Sequence, residues 1–308
     1  MSHAAKVWVA LATVYVIWGS TYLGIELAGE TIPPLFAVAI RFIAAAALLA
    51  GITYWRRGRR AFRMTLPQIG TAVLAGALLP GANAVLFVAE RHVATGLSAL
   101  IIGSVPLWIV VLRMANGDRP SAASLAAVLV GFAGLALLVH PSGGASLGYL
   151  LLVLCSAVMW AVGSYVTTRL PMPRDAFGAT VVEMLAGGLL LLPIGVITTS
   201  PHPSEFSARS IFGWIYLVTF GSVVGYTAYV WLLDNAPLGT VATYAYVNPI
   251  VAIALGVAVL HEALTWTVLA GALLVLACVA VVVRGDRIPP EAEAMAAGAA
   301  GHEAVSLE

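Results

Sequence analysis

Two charged residues, Arg41 and Glu183, fall deep inside apolar runs. A charge at membrane depth marks a functional site by default, because burying it without purpose is costly. The two positions are 142 apart, as are Trp18 and Trp160. Gly96 and Gly239 are 143 apart, as are Pro106 and Pro249, and Asp118 and Glu262 are 144 apart. The residues able to do chemistry therefore recur in two copies. Around Trp18 run Ser20, Thr21 and Tyr22, and around Trp160 run Ser164 and Tyr165. Asn83 and Phe87 match Tyr226 and Tyr229 in depth, Ser104 and Trp108 share one run, and Tyr244, Tyr246 and Asn248 share another. A cavity of aromatic and neutral polar groups suits a ligand with an apolar or aromatic body and a few hydrogen-bonding groups. It does not suit a multiply charged phosphate, which calls for Arg or Lys.

Each of these residues has a plainer reading. Trp18 and Trp160 lie too deep for an interfacial belt, so each indole N–H needs an acceptor or a wet cavity, but both also suit core packing. Pro106 and Pro249 each remove one helix bond and free the carbonyls of Ile102 and Ala245. They serve either as static kinks or as hinges. Arg41 and Glu183 lie six or seven residues into their runs, roughly 9–11 Å from opposite faces at about 1.5 Å per residue. A gap of about 10 Å along the normal then separates them in a ~30 Å core. Either Arg41 snorkels outward and Glu183 bonds a neighbouring helix, or the pair couples or gates movement. Glu183 is the better candidate proton carrier.

The remaining inventory is mostly exclusion. Lys6 is the single lysine, so the chain has neither a Walker phosphate loop nor a Schiff-base lysine at depth. The six histidines lie at run ends, in loops or in tails, so an intramembrane Ser-His dyad has no base. His261-Glu262 lacks the second His of a metalloprotease motif and reads as a solvated loop tip. Cys155 and Cys278 lie inside apolar runs and read as small core residues. The sequence thus points to no enzyme, metal, cofactor, nucleic-acid partner or ATPase partner.

The elements that must position these groups follow from hydropathy. The chain has 308 residues, 61% hydrophobic and 9% charged, against about 25% charged in soluble domains. Ten windows can cross a bilayer, near 7–27, 35–55, 68–89, 93–114, 121–139, 147–168, 176–197, 211–233, 239–260 and 265–283. Short linkers carry turn residues: Pro33-Pro34, Asn116-Gly117, Pro141-Ser142-Gly143-Gly144, Pro171-Met172-Pro173, Pro201-His202-Pro203 and Asn235-Ala236-Pro237. The only basic residue at the first window is Lys6, and no small-residue cleavage site follows, so the window is expected to be retained.

Basic residues set the orientation. Lys6, Arg56, Arg57, Arg59, Arg60, Arg63, Arg113, Arg119, Arg169, Arg174, Arg284 and Arg287 fall on one side, which places both termini in the cytoplasm. Arg91 and Arg209 fall on the other. Five windows per copy is an odd number, so the second copy enters from the opposite face. The expected fold is all-α and integral to the membrane, with ten transmembrane helices as two inverted five-helix repeats. The halves are residues 1–142 and 143–284, followed by a disordered cytoplasmic tail at 285–308 that ends in the scar-like Leu307-Glu308. Small-residue pairs (Ser20 and Gly24, Gly221 and Gly225, Ala252 and Gly256) pack the bundle and give little support to a dimer, so a monomer is expected.

The chain resembles the drug/metabolite transporter superfamily of EamA type. The repeats open on Val14-Tyr15-Val16-Ile17-Trp18-Gly19-Ser20-Thr21 and Ala157-Val158-Met159-Trp160-Ala161-Val162-Gly163-Ser164. They end in Thr95-Gly96, Val105-Pro106 and Gly117-Asp118, and in Leu238-Gly239-Thr240, Asn248-Pro249 and His261-Glu262. Asp118 stands where a glutamate is more typical. The resemblance implies a bacterial inner-membrane carrier, commonly an exporter of amino acids or related metabolites, with the aromatic amino-acid exporters as the nearest branch. The expected activity is secondary active or facilitative export of amino acids (aromatic or other neutral) or related small metabolites by alternating access. The expected substrate site is Trp18, Tyr22, Asn83, Phe87, Ser104, Trp108, Trp160, Ser164, Tyr226, Tyr244 and Asn248, with Arg41, Glu183, Pro106 and Pro249 gating or coupling. The rivals are a broad-specificity drug efflux carrier and a non-transporting membrane scaffold.

Overall fold

The computed structural model describes residues 1–139, 146–236, 238–241 and 243–285. The Pro141-Ser142-Gly143-Gly144 linker, Pro237, His140, His302, Arg287 and the tail beyond Gly285 lie outside the described residues. Within them every regular element is helical. The helices are α1 (His3–Gly29), α2 (Pro34–Arg57), α3 (Leu66–Glu90), α4 (Thr95–Ile102), α5 (Val105–Ala115), α6 (Ala122–Val139) and α7 (Leu147–Arg169). After these come α8 (Ala176–Thr199), α9 (Ala208–Tyr216), α10 (Gly225–Asn235), α11 (Leu238–Val241), α12 (Tyr244–Leu260) and α13 (Trp266–Gly285). A π-helical segment, Leu217–Val224, joins α9 to α10. Short 3₁₀ turns follow α2 and α8, at Gly58–Phe62 and Pro203–Glu205.

Among the described residues, seven helical stretches are long and apolar enough to cross a membrane, and the described apolar parts of α6, α12 and α13 are shorter. Polar chemistry sets the helix ends. Asp175 accepts from the Gly178 N–H at 3.0 Å and Ser207 accepts from the Ser210 N–H at 3.1 Å, both N-cap bonds. Thr65 N–H donates to Gln68 Oε1 at 2.9 Å, the return half of a capping box. Gly58, at φ +68°, lets the chain leave α2 in a conformation that a side chain would strain. These caps extend several helices one to four residues beyond the hydropathy windows, because capping residues are polar and drop out of an apolar window.

Large apolar side chains cover the outer surface: Ile197 is 80% exposed, Leu273 72% and Leu129 65%. A surface of this kind belongs against lipid. Cys155 also lies on this surface, so it is not the small core residue expected; Cys278 is buried as expected. Polar ties cross one end of the bundle. Arg57 pairs with Asp175 at 2.8 Å, and Asp118 pairs with Arg113 at 3.0 Å and Arg169 at 3.2 Å. These two arginines hold the Asp118 carboxyl below the usual carboxylate range. At the opposite end of α1, Glu30 pairs with Arg209 at 3.0 Å.

Inside, α2 packs most extensively on α8, α3 on α7 and α8, α6 on α13, and α1 on α12. The α3–α8 crossing is backbone on backbone. A Cβ added to Gly76 would collide with the Glu183 carbonyl oxygen, and one added to Gly187 with the Gly76 carbonyl oxygen. Small residues allow this approach, and dispersion rather than water exclusion drives it in lipid. Gly76→Ala is therefore expected to destabilise the detergent-solubilised protein by about 1–3 kcal/mol through overpacking. Gly70, on the same helix, has nothing within 4 Å of an added Cβ, so Gly70→Ala is expected to hold or raise the melting temperature. Equal melting temperatures for the two variants would contradict the backbone contact.

Candidate functional site

The structure builds one aromatic cluster from both halves of the chain. Trp18 of α1 meets Tyr226 at 5.5 Å and Tyr244 at 5.2 Å between ring centroids, both edge-on, and Tyr229 at 5.0 Å, tilted. Tyr229 and Tyr244 meet edge-on at 5.8 Å. Edge-to-face pairs of this kind each add about 0.5–1.5 kcal/mol beyond area burial. All four rings are only half-buried.

The π-helical turn anchors this cluster. An i→i+5 bonding pattern widens the helix locally, and such turns recur at functional sites. Here the Gly221 carbonyl accepts the Trp18 indole N–H at 3.2 Å, which meets the demand for an acceptor at depth. A Cβ on Gly225 would fall 2.5 Å from Trp18 Nε1, so glycine there makes room for the indole. Arg41 reaches the same turn from α2. It is 4% exposed, and its Nε donates to Ser222 Oγ at 3.1 Å. Its guanidinium lies 5.1 Å from the Phe42 ring centroid. Glu183 makes no ion pair with Arg41 among the described residues, yet Tyr226 is within electrostatic range of both.

The other expected site residues separate from this cluster. Trp108 and Trp160 share a different one, with Val105, Ala157 and Ala161. There Trp108 Nε1 donates to Ser104 Oγ at 3.2 Å, and the Trp108 ring meets Phe132 at 4.7 Å. Phe87 and Tyr22 are buried in the main apolar core. Asn83 donates to its own helix at the Leu79 carbonyl, 3.3 Å away, and Ser164 is half-buried on α7. Asn248 is buried; with its amide turned so that Nδ2 donates, it reaches the Tyr244 and Tyr15 carbonyls at 3.3 Å. Tyr15 also bonds Thr243 Oγ1 across α1 and α12.

Pro106 lies at a helix interruption, whereas Pro249 lies inside a continuous helix. The run holding Pro106 breaks between α4 and α5 at Gly103-Ser104, where Ser104 Oγ donates to the Ile101 carbonyl at 2.6 Å. Pro249 lies within α12, one turn beyond its start at Tyr244. The two places touch: a Cβ on Gly103 would lie 3.2 Å from both the Ala245 oxygen and Pro249 Cγ.

At the opposite end of α4, Glu262 is not the solvated tip expected. Its Oε1 accepts from Thr95 N–H at 2.6 Å and its Oε2 from Gly96 N–H at 3.2 Å. A carboxylate at a helix N-terminus satisfies orphan donors and opposes the positive end of the helix dipole. Glu262→Ala is expected to cost about 1–2 kcal/mol in thermal unfolding, and Glu262→Gln less, because the amide oxygen still accepts. If Ala and Gln have equal effects, the carboxylate is not acting as a cap. Beside it, Glu90 escaped the sequence reading. It is 2% exposed, both its oxygens lack a partner, and it lies in electrostatic range of Glu26 and Glu262. All three acids end odd-numbered windows, a register that places them on one face and could have flagged them together.

A model of the EamA-like transporter family matches residues 6–140 and again 147–284. The chain belongs to the EamA-like transporter family. It is thus a membrane transporter of the drug/metabolite transporter superfamily. This EamA-like chain is 32% identical over 265 residues to an uncharacterized inner membrane transporter, YedA, of Escherichia coli, covering 83% of each chain. It is 27% identical to a WAT1-related chloroplastic protein of Arabidopsis thaliana, covering 88% of this chain and 68% of that one. It is also 25% identical to the protein PagO of Salmonella typhimurium, covering 79% and 81%. A solved crystal structure superposes with a TM-score of 0.64 at 18% identity, covering 91% of this chain and 98% of its own. That likeness concerns the fold alone.

Proposed function

We propose that this EamA-like transporter is a bacterial inner-membrane carrier that exports aromatic or other neutral amino acids by alternating access. In this reading the chain crosses the membrane ten times, as two five-helix halves of opposite orientation with both termini in the cytoplasm. The carrying observation is the ring cluster, in which Trp18 of the first half closes on Tyr226, Tyr229 and Tyr244 of the second. A site at the seam between halves is exposed to each side in turn as the halves rock. The double family match at 6–140 and 147–284 and the close approach of the Gly103 break to Pro249 both support it. Rings and hydroxyls suit a neutral side chain, and the inner-membrane placement follows the name of the Escherichia coli relative.

The test is counterflow in proteoliposomes against the twenty amino acids. Exchange of aromatic or large neutral amino acids is expected. Exchange of lipophilic dyes with none of any amino acid would move the carrier to drug efflux. No exchange of either class would leave a membrane scaffold.

A further inference from the structure

Arg41 carries a demand that its surroundings leave unmet. Arginine keeps its charge at any accessible pH. A buried charge without a counter-charge costs several kcal/mol. Arg41 is 4% exposed, its Nη1 is buried without a hydrogen-bond partner, and no ion pair reaches it among the described residues. The Ser222 hydroxyl and the Phe42 ring offset part of this, but neither carries a negative charge. The guanidinium calls for an anion that no carboxylate among the described residues supplies through an ion pair.

The position of the guanidinium says where that anion comes from. The π-helical turn that takes the Trp18 N–H at Gly221 also holds Arg41. A Cβ on Gly221 would lie 3.3 Å from Arg41 Nη2, and Ser222 binds its Nε. The charge therefore borders the ring cluster. Glu183, like Arg41, lies within electrostatic range of Tyr226. Gly188 of α8 packs on Ala39 and Ile43, level with Arg41, and Glu183 is five residues away along the same helix. That is about 7–8 Å along the helix axis, too far for direct pairing of the backbones' levels but within reach of two side chains and a small bridging molecule.

We propose that Arg41 receives the carboxylate of the transported molecule, with Glu183 taking its ammonium group and the rings around Trp18 taking its body. The substrate class is then an α-amino acid carried as the zwitterion. Amines, amides and neutral drugs of the same shape are poor substrates because they leave the guanidinium unmatched. A bidentate guanidinium–carboxylate contact gives this preference its strength. The inference rests on the carrier reading above.

The experiment uses the full chain in proteoliposomes, with radiolabelled phenylalanine counterflow as the readout. The unlabelled competitors are phenylalanine, phenylalaninamide, 3-phenylpropionate and phenethylamine. In the wild type, phenylalanine is expected to compete at least tenfold better than its amide. Arg41→Gln is expected to abolish that ratio, with Arg41→Lys recovering part of it. Glu183→Gln is expected to weaken phenylalanine and phenethylamine while sparing 3-phenylpropionate. Should Arg41→Gln fail to fold, the wild-type acid-to-amide ratio decides. Acid and amide competing equally in a wild type that exchanges phenylalanine overturns the assignment of Arg41 alone. An Arg41→Gln carrier that keeps the wild-type ratio does the same. No exchange of any amino acid overturns the carrier reading, and this inference with it.

Discussion

Trp18→Ala is expected to lower amino-acid counterflow by two orders of magnitude or more, while Trp160→Ala lowers it by less than tenfold. In the proposed two-repeat reading these residues are equivalents, 142 positions apart. Their surroundings are not equivalent. Trp18 touches three tyrosines contributed by the second half and donates its indole N–H to the π-helical turn. Trp160 packs with Val105, Ala157 and Ala161 in a mainly aliphatic cluster. Truncating a large aromatic removes about 3–5 kcal/mol of packing. At Trp18 that loss falls on the seam between the halves; at Trp160 it falls between α5 and α7. Trp18→Phe separates ring from donor. It keeps the edge-on contacts and forfeits one hydrogen bond, about 0.5–1.5 kcal/mol, so roughly tenfold or less is expected. Equal losses for the two alanine variants would make the site symmetric and remove the Trp18 cluster as its centre.

This asymmetry could not be read from the residues alone. Hydropathy located the helices well: Pro34–Arg57 and Leu147–Arg169 lie within two residues of their windows. Helices that are apolar on all sides carry almost no amphipathic signal, so their inward faces stay hidden. Hence Trp18, Tyr226 and Tyr244 could be nominated together, but so were Trp108 and Trp160, which lie elsewhere. The π-helical turn has no pattern of its own; Gly221 and Gly225 read as a small-residue packing pair. Glu262 followed a helix end and therefore read as solvent-facing, although it caps a helix 167 positions away in sequence. Glu90 stands beside Arg91 and His92 at a window's edge, where polar residues are ordinary. Only the fold turns it into a buried acid facing two others. Contact between distant segments was the missing information in each case.

The second large effect is expected where the break between α4 and α5 meets Pro249 of α12. Gly103→Val should stop exchange, about a hundredfold or more, while leaving substrate affinity within a few-fold of wild type. Gly103 lies between α4 and α5 with no side chain to hold off the opposite strand of helix. An added Cβ would meet the Leu100 oxygen at 3.1 Å and the Ala245 oxygen and Pro249 Cγ at 3.2 Å. Alanine fits only if neighbours give by a few tenths of an ångström, so Gly103→Ala should slow exchange several-fold. Valine's two methyl groups force the helices apart or fix them in one arrangement. Pro249 tests the same point from the other side. Proline lacks the N–H that would bond the Ala245 carbonyl, and an interior proline costs a helix about 3 kcal/mol. Pro249→Ala restores that bond and stiffens α12. The expected result is a higher melting temperature together with slower exchange, a stability gain obtained at the expense of movement. Static packing predicts a different pair of outcomes: Gly103→Val would lower stability and affinity together, and Pro249→Ala would leave the exchange rate unchanged. Binding measured by quenching of tryptophan fluorescence, beside counterflow on the same preparation, separates the two, because a jammed pivot still binds.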